Sequence, residues 1–540
     1  YTVKQFDFRG TVQYNKVWND THIMNLFGGM EANRTDNDQM MHSDYGVDYN
    51  NGRLVTITPE FYKQAKEEGT VLSSFSRAWT RNLAYFLSGN YSYKGRYTIN
   101  LTGRYEGSNK LGRSRSARWL PTWNVSGAWN AHEEEFFKRW MQKTDGAVSH
   151  LSLRASYSLT ADRGPSWVTN ALPVIYATNI WRPQGDQVET GLYLNDLAND
   201  ELTYEKKHEI NFGLDAGFLR NRINLNFDIY WRNNYDLIGI IETQGVGGII
   251  AKYANVATMK SSGVEATLST RNIEKKDFSW TSDLTFSYAT NEITDLDSRS
   301  SVIDLITGTS TTHFRQGYPV SALFSIPFVG LNDEGIPQFI NEDGEITTTD
   351  INFQEYDKID YLKYEGPTEP TITGGFNNTL TYKNWRLNIF ITYSFGNKIR
   401  LDPVFSAAYS DMSAMPKEFK NRWAVPGDEA HTDIPTIASM RQYINDNNLS
   451  YAYNAYNYST ARVADGGFIR LKDVSLTYDL PKKFLNKIGL STASVKLDAT
   501  NLFLLYSDKK LNGQDPEFVN SGGVATPMPK QFTFTLRLGI

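Results

Sequence analysis

The sequence predicts an all-β fold, a transmembrane antiparallel β-barrel, with about fifteen strands in these 540 residues. Three observations predict it. Apolar and polar residues alternate strictly along many segments of about ten residues, as in Phe532, Phe534, Leu536, Leu538 and Ile540 against Thr533, Thr535, Arg537 and Gly539. These segments come in pairs joined by turn residues. The connections between them also fall into two lengths that alternate along the chain.

The pairs set the pattern. Tyr85, Leu87, Gly89, Tyr91 and Tyr93 turn at Lys94-Gly95 into Tyr97, Ile99, Leu101, Gly103 and Tyr105. Ile210, Phe212, Leu214, Ala216 and Phe218 turn at Arg220-Asn221 into Ile223, Leu225, Phe227, Ile229 and Trp231. Between the residues of that last strand lie Arg222, Asn224, Asn226, Asp228 and Tyr230, a polar face. Phe376, Leu380 and Tyr382 turn at Lys383-Asn384 into Trp385, Leu387, Ile389, Ile391, Tyr393 and Phe395. Further strands are expected near 5–14, 21–30, 122–130, 150–159, 262–271, 278–289, 468–480, 490–504 and 529–540. Most have the length a tilted strand needs to cross a bilayer.

Short joints are expected near 15–20, 94–95, 219–221, 272–277, 383–384 and 481–489, with a middling one at 131–149. Long polar segments lie near 31–81, 106–121, 160–207, 236–261, 290–370, 397–466 and 505–528. Antiparallel strands send alternate connections to opposite ends, so short turns gather on one side and long loops on the other. That asymmetry marks an outer-membrane barrel, whose short turns are periplasmic. Aromatic residues at strand ends (Tyr91, Tyr93, Trp231, Tyr382, Trp385, Tyr393, Phe395) suit interfacial girdles.

Composition agrees. Gly 40, Tyr 32, Phe 29 and Trp 12 describe an aromatic, turn-rich chain without Cys. The mean hydropathy of −0.47 fits a barrel, because only every second strand residue meets lipid. No run of 18 apolar residues provides a spanning helix. The net charge of −5 argues against nucleic acid as a partner. The chain starts Tyr1-Thr2-Val3-Lys4 directly in a strand and is expected to be the C-terminal part of a longer polypeptide. On this strand count, a periplasmic N-terminus requires an odd number of further strands.

Several stretches resemble the SusC/RagA family of TonB-dependent outer-membrane transporters. They are Leu202-Thr203-Tyr204-Glu205-Lys206 with Asn211 to Asp215, Tyr230 to Ile238, and Asn255 to Glu265 with Ser262-Gly263-Val264-Glu265. Gly317-Tyr318-Pro319-Val320, Gly366-Pro367, Thr373 to Asn378 and Tyr382-Lys383-Asn384 continue the series. It ends with Gly467 to Val474, Leu476-Thr477-Tyr478, Pro481, Asn501-Leu502-Phe503, Asp515-Pro516-Glu517 and Pro529. Tyr204 stands where the family more often has Trp, Ala322-Leu323-Phe324 lacks its usual Gly-rich spacing, and the last residue, Ile540, is not aromatic. The resemblance implies a 22-stranded barrel around an N-terminal plug, so residues 1–540 would be barrel, with the plug and seven strands upstream. It implies import of an oligosaccharide or peptide beneath a SusD-like surface lipoprotein, driven by the TonB complex through the upstream part. A passive porin or a surface-binding adhesin is the alternative reading.

No catalytic constellation, metal site or cofactor motif is expected. His132 with Glu133-Glu134-Glu135 reads as a partly helical periplasmic turn. Asn332-Asp333-Glu334-Gly335 and Asn341-Glu342-Asp343-Gly344 read as turns without the spacing of a calcium loop. Candidate ligand-binding residues are aromatic side chains of the external loops: Trp167, Trp181 and Tyr193 in one, and Tyr451, Tyr453, Tyr456 and Tyr458 in another. Their ring faces suit sugar stacking or peptide contact; for any one of them, packing of the loops together or against a partner protein is the favoured alternative. Arg113, Arg115 and Arg118 form a basic cluster that suits an acidic group or a solvated loop.

Overall fold

A computed structural model describes the chain apart from residues 44–45, 49, 55–57, 69–72, 111–114, 145–146, 165–172, 182–187, 246–247, 309–312, 404–416, 439–445, 447, 520–528 and 540. Fifteen strands form one antiparallel sheet in which each pairs with its neighbours in chain order. They are β1 (Thr2–Trp18), β2 (His22–His42), β3 (Ser73–Tyr93), β4 (Tyr97–Ser108) and β5 (Trp119–Asn130). β6 (Val148–Asp162), β7 (Glu205–Phe218), β8 (Ile223–Glu242), β9 (Ala251–Glu274) and β10 (Phe278–Leu296) follow. The last five are β11 (Ile372–Tyr382), β12 (Trp385–Phe395), β13 (Phe468–Asp479), β14 (Thr492–Ser507) and β15 (Gln531–Gly539). All fifteen expected strands are present, and β1 and β15 are the free edges of the sheet.

Register carries the apolar pattern across the wall. Leu214, Phe227, Ala266 and Phe286 lie side by side, as do Phe212, Ile229, Val264 and Tyr288. Residues one position away put Asp215, Asn226, Asp228 and Glu265 on the opposite face. A one-residue slip in any strand would exchange these environments, so lipid on one side and water on the other fix the register.

The short connections begin with tight turns. Asn19 and Asp20 adopt left-handed backbone (φ 49° and 52°), as do Lys94 and Gly95 (φ 55° and 66°). Such pairs match the twist of the flanking strands. The connection after β5 carries a helix, Glu135–Lys143, and the one after β13 another, Lys482–Ile488. At the opposite end the strands run well past the expected boundaries. β2 was expected to stop near residue 30 but continues to His42, and the loop expected at 236–261 is mostly strand, with its tip at 243–250. Hydrogen bonding persists there after the apolar alternation has ceased, because both faces are then in water.

Two aromatic rows bound the apolar band. Tyr85 and Tyr93, Tyr97 and Tyr105, and Trp385 and Tyr393 are each eight positions apart on one strand. Tyr85 pairs across strands with Tyr105, and Tyr93 with Tyr97. Eight positions span ~26 Å along a strand, or ~20 Å across the membrane at a tilt of about 40°. Tyr393 lies flat over Gly374, where an added Cβ would stand 2.3 Å from both its hydroxyl and the Thr285 carbonyl. Glycine is needed there for that close approach.

Placing Arg at Leu225 or Ile389 in the full-length protein should cost up to about 2–4 kcal/mol, the value reached at the membrane midplane. Arg at Asn226 or Asn388, on the polar face, should have a mild effect. Urea titration of heat-modifiable gel migration separates the two sets, and equal losses would contradict the assigned faces.

Candidate functional site

The inner face of the wall is a lattice of charge and amide pairs. Glu31 accepts from Arg104 at 2.8 Å and lies 3.3 Å from Arg9. Arg104 also bonds Glu106 at 2.7 Å, and Glu106 meets Arg163. Further along, Arg154 spans Asp215 and Asp228 at 2.9 and 3.1 Å, and Arg232 bonds Glu209 at 2.8 Å while its guanidinium lies 3.8 Å from the Tyr230 ring centroid. Such half-exposed pairs add little stability each. Together they make the face water-compatible and lined with both signs of charge.

Above the wall, the long connections 297–371, 396–467 and 508–519 fold together. Val302, Leu305, Ile306, Phe324, Ile326, Phe339, Ala455 and Tyr456 share one buried cluster, contributed by the first two connections. The backbone joins them as well. The strand Lys398–Arg400 pairs with Val463–Asp465, the Ile326 N–H donates to the Tyr458 carbonyl at 3.0 Å, and the Asp465 N–H donates to Asp508 at 2.8 Å. The two Asn-x-x-Gly turns flank the strand Pro337–Ile340. In each, the Asn side chain accepts two backbone N–H groups, at 3.0 and 2.8 Å for Asn332 and at 3.1 and 2.9 Å for Asn341.

Three enclosed arginines fasten this roof. Arg400 donates to Ser325 Oγ at 3.0 Å and to the carbonyls of Ser459, Phe324 and Ile306 at 3.1, 2.5 and 3.4 Å. Burial lowers its pKa to about 10, so it stays charged at neutral pH. Arg462 pairs with Glu418 at 2.6 Å and donates to the Asp402 carbonyl at 2.6 Å. Arg470, 4% exposed, meets Asp515 and, at 2.8 Å, Glu517. Two motifs of the sequence resemblance, 467–474 and 515–517, therefore touch through one ion cluster.

The same holds for the earlier motifs. Asn255 accepts the Thr203 N–H at 2.9 Å and donates to the Thr203 and Asp236 carbonyls, at 3.0 and 2.5 Å. Lys206 bonds Asp236 at 2.6 Å, and Glu205 accepts the Ile238 N–H at 2.9 Å. Asp236 is itself in left-handed backbone (φ 58°), beside an irregularity in the β8–β9 ladder. This knot pins the start of β7 to the β8–β9 rim.

The expected ligand-binding aromatics separate into two groups. Tyr453 and Tyr456 are 0% and 1% exposed, so they are core residues of the roof and not ring faces open to a ligand. The Tyr453 hydroxyl donates to the Thr436 carbonyl at 2.8 Å, and burial raises the Tyr456 pKa. Tyr458 is half-buried with the Arg400 guanidinium 5.8 Å from its ring. Tyr451 remains 51% exposed, and Tyr193, 48% exposed, packs against Tyr176 at 5.9 Å. Trp181 ends the strand Val174–Trp181, which pairs with the strand carrying Tyr193. Trp167 and Arg113 lie outside the described residues. Arg115 and Arg118 sit in a short helix packed before β5, and the Tyr204 hydroxyl donates to the Arg118 carbonyl at 3.4 Å.

The His132 region is a helical turn, as expected. Glu134 accepts from Tyr97 at 2.6 Å and Arg96 at 3.0 Å, and the Tyr97 hydrogen bond holds its carboxyl below the usual range. Among the described residues no cluster of three metal-ligating side chains occurs. The buried arginines were missed from sequence, because an Arg in a polar loop reads as solvent-facing. For Arg470 the signal was available in its flanking Phe468, Ile469 and Leu471.

A fifteen-stranded antiparallel wall, apolar outside and charged inside with its long loops gathered at one end, defines an outer-membrane β-barrel. The chain belongs to the TonB-dependent receptor family: the family model described as TonB dependent receptor-like, beta-barrel matches residues 1–502. Its curated relatives include TonB-dependent receptor P3 of Formosa agariphila, 27% identical over 553 residues, which covers 95% of this chain and 49% of that protein. TonB-dependent receptor SusC of Bacteroides thetaiotaomicron is 26% identical over 479 residues, covering 85% of this chain and 44% of SusC. The RagAB peptide transporter structure shares the fold with a TM-score of 0.74 at 22% identity, covering 99% of this chain and 55% of that one. The SusC/RagA resemblance is thus borne out, and the protein resides in the outer membrane. The chain spans about half the length of the curated relatives it matches.

Asp515→Leu should leave Arg470 buried with only the half-exposed Glu517, costing about 3–5 kcal/mol of loop docking. The double variant Arg470→Met with Asp515→Leu should recover most of that loss. Protease nicking within 508–519, titrated with urea, measures both.

Proposed function

We propose that this wall is the barrel part of an active importer that takes up an oligosaccharide or a peptide. The observation that carries the reading is the interlocked loop roof over one end of a charge-lined wall. A passive pore needs short or independent loops, whereas a roof of three interlocked connections suits capture and release of a bulky ligand. Exposed ring faces at Tyr193 and Tyr451, with Trp181 in the same hairpin as Tyr193, offer stacking or peptide contacts; Trp167 and Tyr458 belong to the same two loops. The SusC likeness supports a SusD-like surface lipoprotein as partner, seated on this roof. It also supports energy coupling to the TonB complex through a plug domain upstream of these strands.

The free edges of β1 and β15 support the same reading. Unpaired backbone groups cannot face hydrocarbon, and in this reading further strands join the two edges. Seven would bring the wall to the 22 of the plugged barrels it resembles.

The test is to purify the native complex in mild detergent and determine its intact mass and constituents. The expected result is a chain of the relatives' full length, with a plug, bound to a surface lipoprotein. A 540-residue chain that is complete and alone would overturn the importer reading.

A further inference from the structure

The outer face of β6 to β10 changes character row by row. Three successive rows are apolar: Leu151, Ala216, Leu225, Leu268 and Leu284; then Leu153, Leu214, Phe227, Ala266 and Phe286; then Ala155, Phe212, Ile229, Val264 and Tyr288. The next row is mixed, with Tyr157, Ile210 and Trp231 followed by Ser262 and Thr290. The row beyond it, on the long-loop side, is polar after Leu159: His208, Asn233, Lys260 and Glu292. The strands are tilted, so a row is inclined to the membrane plane, and the edge of the hydrocarbon crosses the mixed row between Trp231 and Ser262.

A groove of about 780 Å³ straddles this boundary. Ile210, Trp231 and Thr290 of the mixed row line its membrane side, and His208, Asn233, Lys260 and Glu292 its outer side. Its far bank is a piece of the 297–371 connection that prolongs the sheet beside β10. There the Gly317 N–H donates to the Ile293 carbonyl at 2.8 Å, the Ile293 N–H to the Tyr318 carbonyl at 3.0 Å, and the Val320 N–H to Asn291 Oδ1 at 2.8 Å. The groove is thus a formed feature of the wall, between two hydrogen-bonded banks.

We propose that this groove holds the saccharide headgroup of an outer-leaflet glycolipid. Its floor is continuous with the lipid-facing rows, so the occupant must present acyl chains below and a polar head above. The head must satisfy an amide, an ammonium and a carboxylate in one row and a hydroxyl in the row below it. A sugar ring does so, stacking its apolar face on Trp231 and directing hydroxyls to Asn233, Thr290, Lys260 and Glu292. A bare phosphate does not, because Glu292, directly opposite Lys260, cancels the positive field a phosphate needs. The proposal needs only the membrane placement of the wall and is independent of what the barrel imports.

The experiment uses the full-length protein, delipidated and reconstituted into nanodiscs containing phospholipid plus rough-type lipopolysaccharide. Native mass spectrometry then reads the lipid retained on release. Wild type should keep lipopolysaccharide, and Asn233→Ala with Lys260→Ala should keep about tenfold less. Lys94→Ala, at a periplasmic turn, should match wild type. Because Trp231→Ala alters the girdle, Trp231→Phe is the second variant, expected to retain an intermediate amount. Equal retention by all variants would overturn the proposal. So would retention of phospholipid in place of glycolipid that depends on the same residues, or a loss confined to binding of a free soluble saccharide.

Discussion

Hydrocarbon offers no hydrogen-bond partner, and the rest of this structure depends on that constraint. Every N–H and C=O that crosses the membrane must be paired inside the wall, so the strands form one uninterrupted ladder in chain order. A ladder of this kind fixes direction, since each strand must reverse the last. It therefore sorts the connections by end before any loop has a sequence of its own. Tight turns on one side leave no room for function. The loops on the other side are free to lengthen, and there the chain places most of its buried core.

Within those loops a second rule operates. A roof assembled outside the membrane from three separate connections must be held in register by something more specific than apolar contact. Arg400, Arg462 and Arg470 supply it: each is enclosed and each joins segments far apart in the chain. Their burial is costly unless every contact is kept. The arrangement therefore favours one docked geometry over a family of looser ones.

The wall was legible in the sequence because its two solvents write a period-two pattern that nothing else overrides. Leu225 against Asn226, or Ile389 against Asn388, announces its face from type alone. Strand ends beyond the membrane were not legible, as β2 from Met30 to His42 shows, because water on both faces erases the alternation while the ladder continues. The loop aromatics were legible only as residue types. Tyr451 and Tyr453 are two positions apart, yet one is exposed and the other is fully buried. That difference follows the face of the helix Leu449–Asn457, on which Leu449, Ala452, Tyr453 and Tyr456 recur three and four apart, a pattern legible only once the segment is read as a helix. The motif residues Asn255 and Asp515 were legible through resemblance, and the contacts they make account for their spacing.

The aromatic rows also have an elastic consequence. Bands ~20 Å apart are shorter than the ~30 Å hydrocarbon core of an average bilayer. A bilayer of that thickness would have to thin around this wall, at a cost of fractions of a kcal/mol for each Å of mismatch. The bacterial outer membrane is thinner than average and is strained less. The spacing between Tyr85 and Tyr93 thus acts as a gauge, biasing the protein toward the membrane whose thickness it already matches.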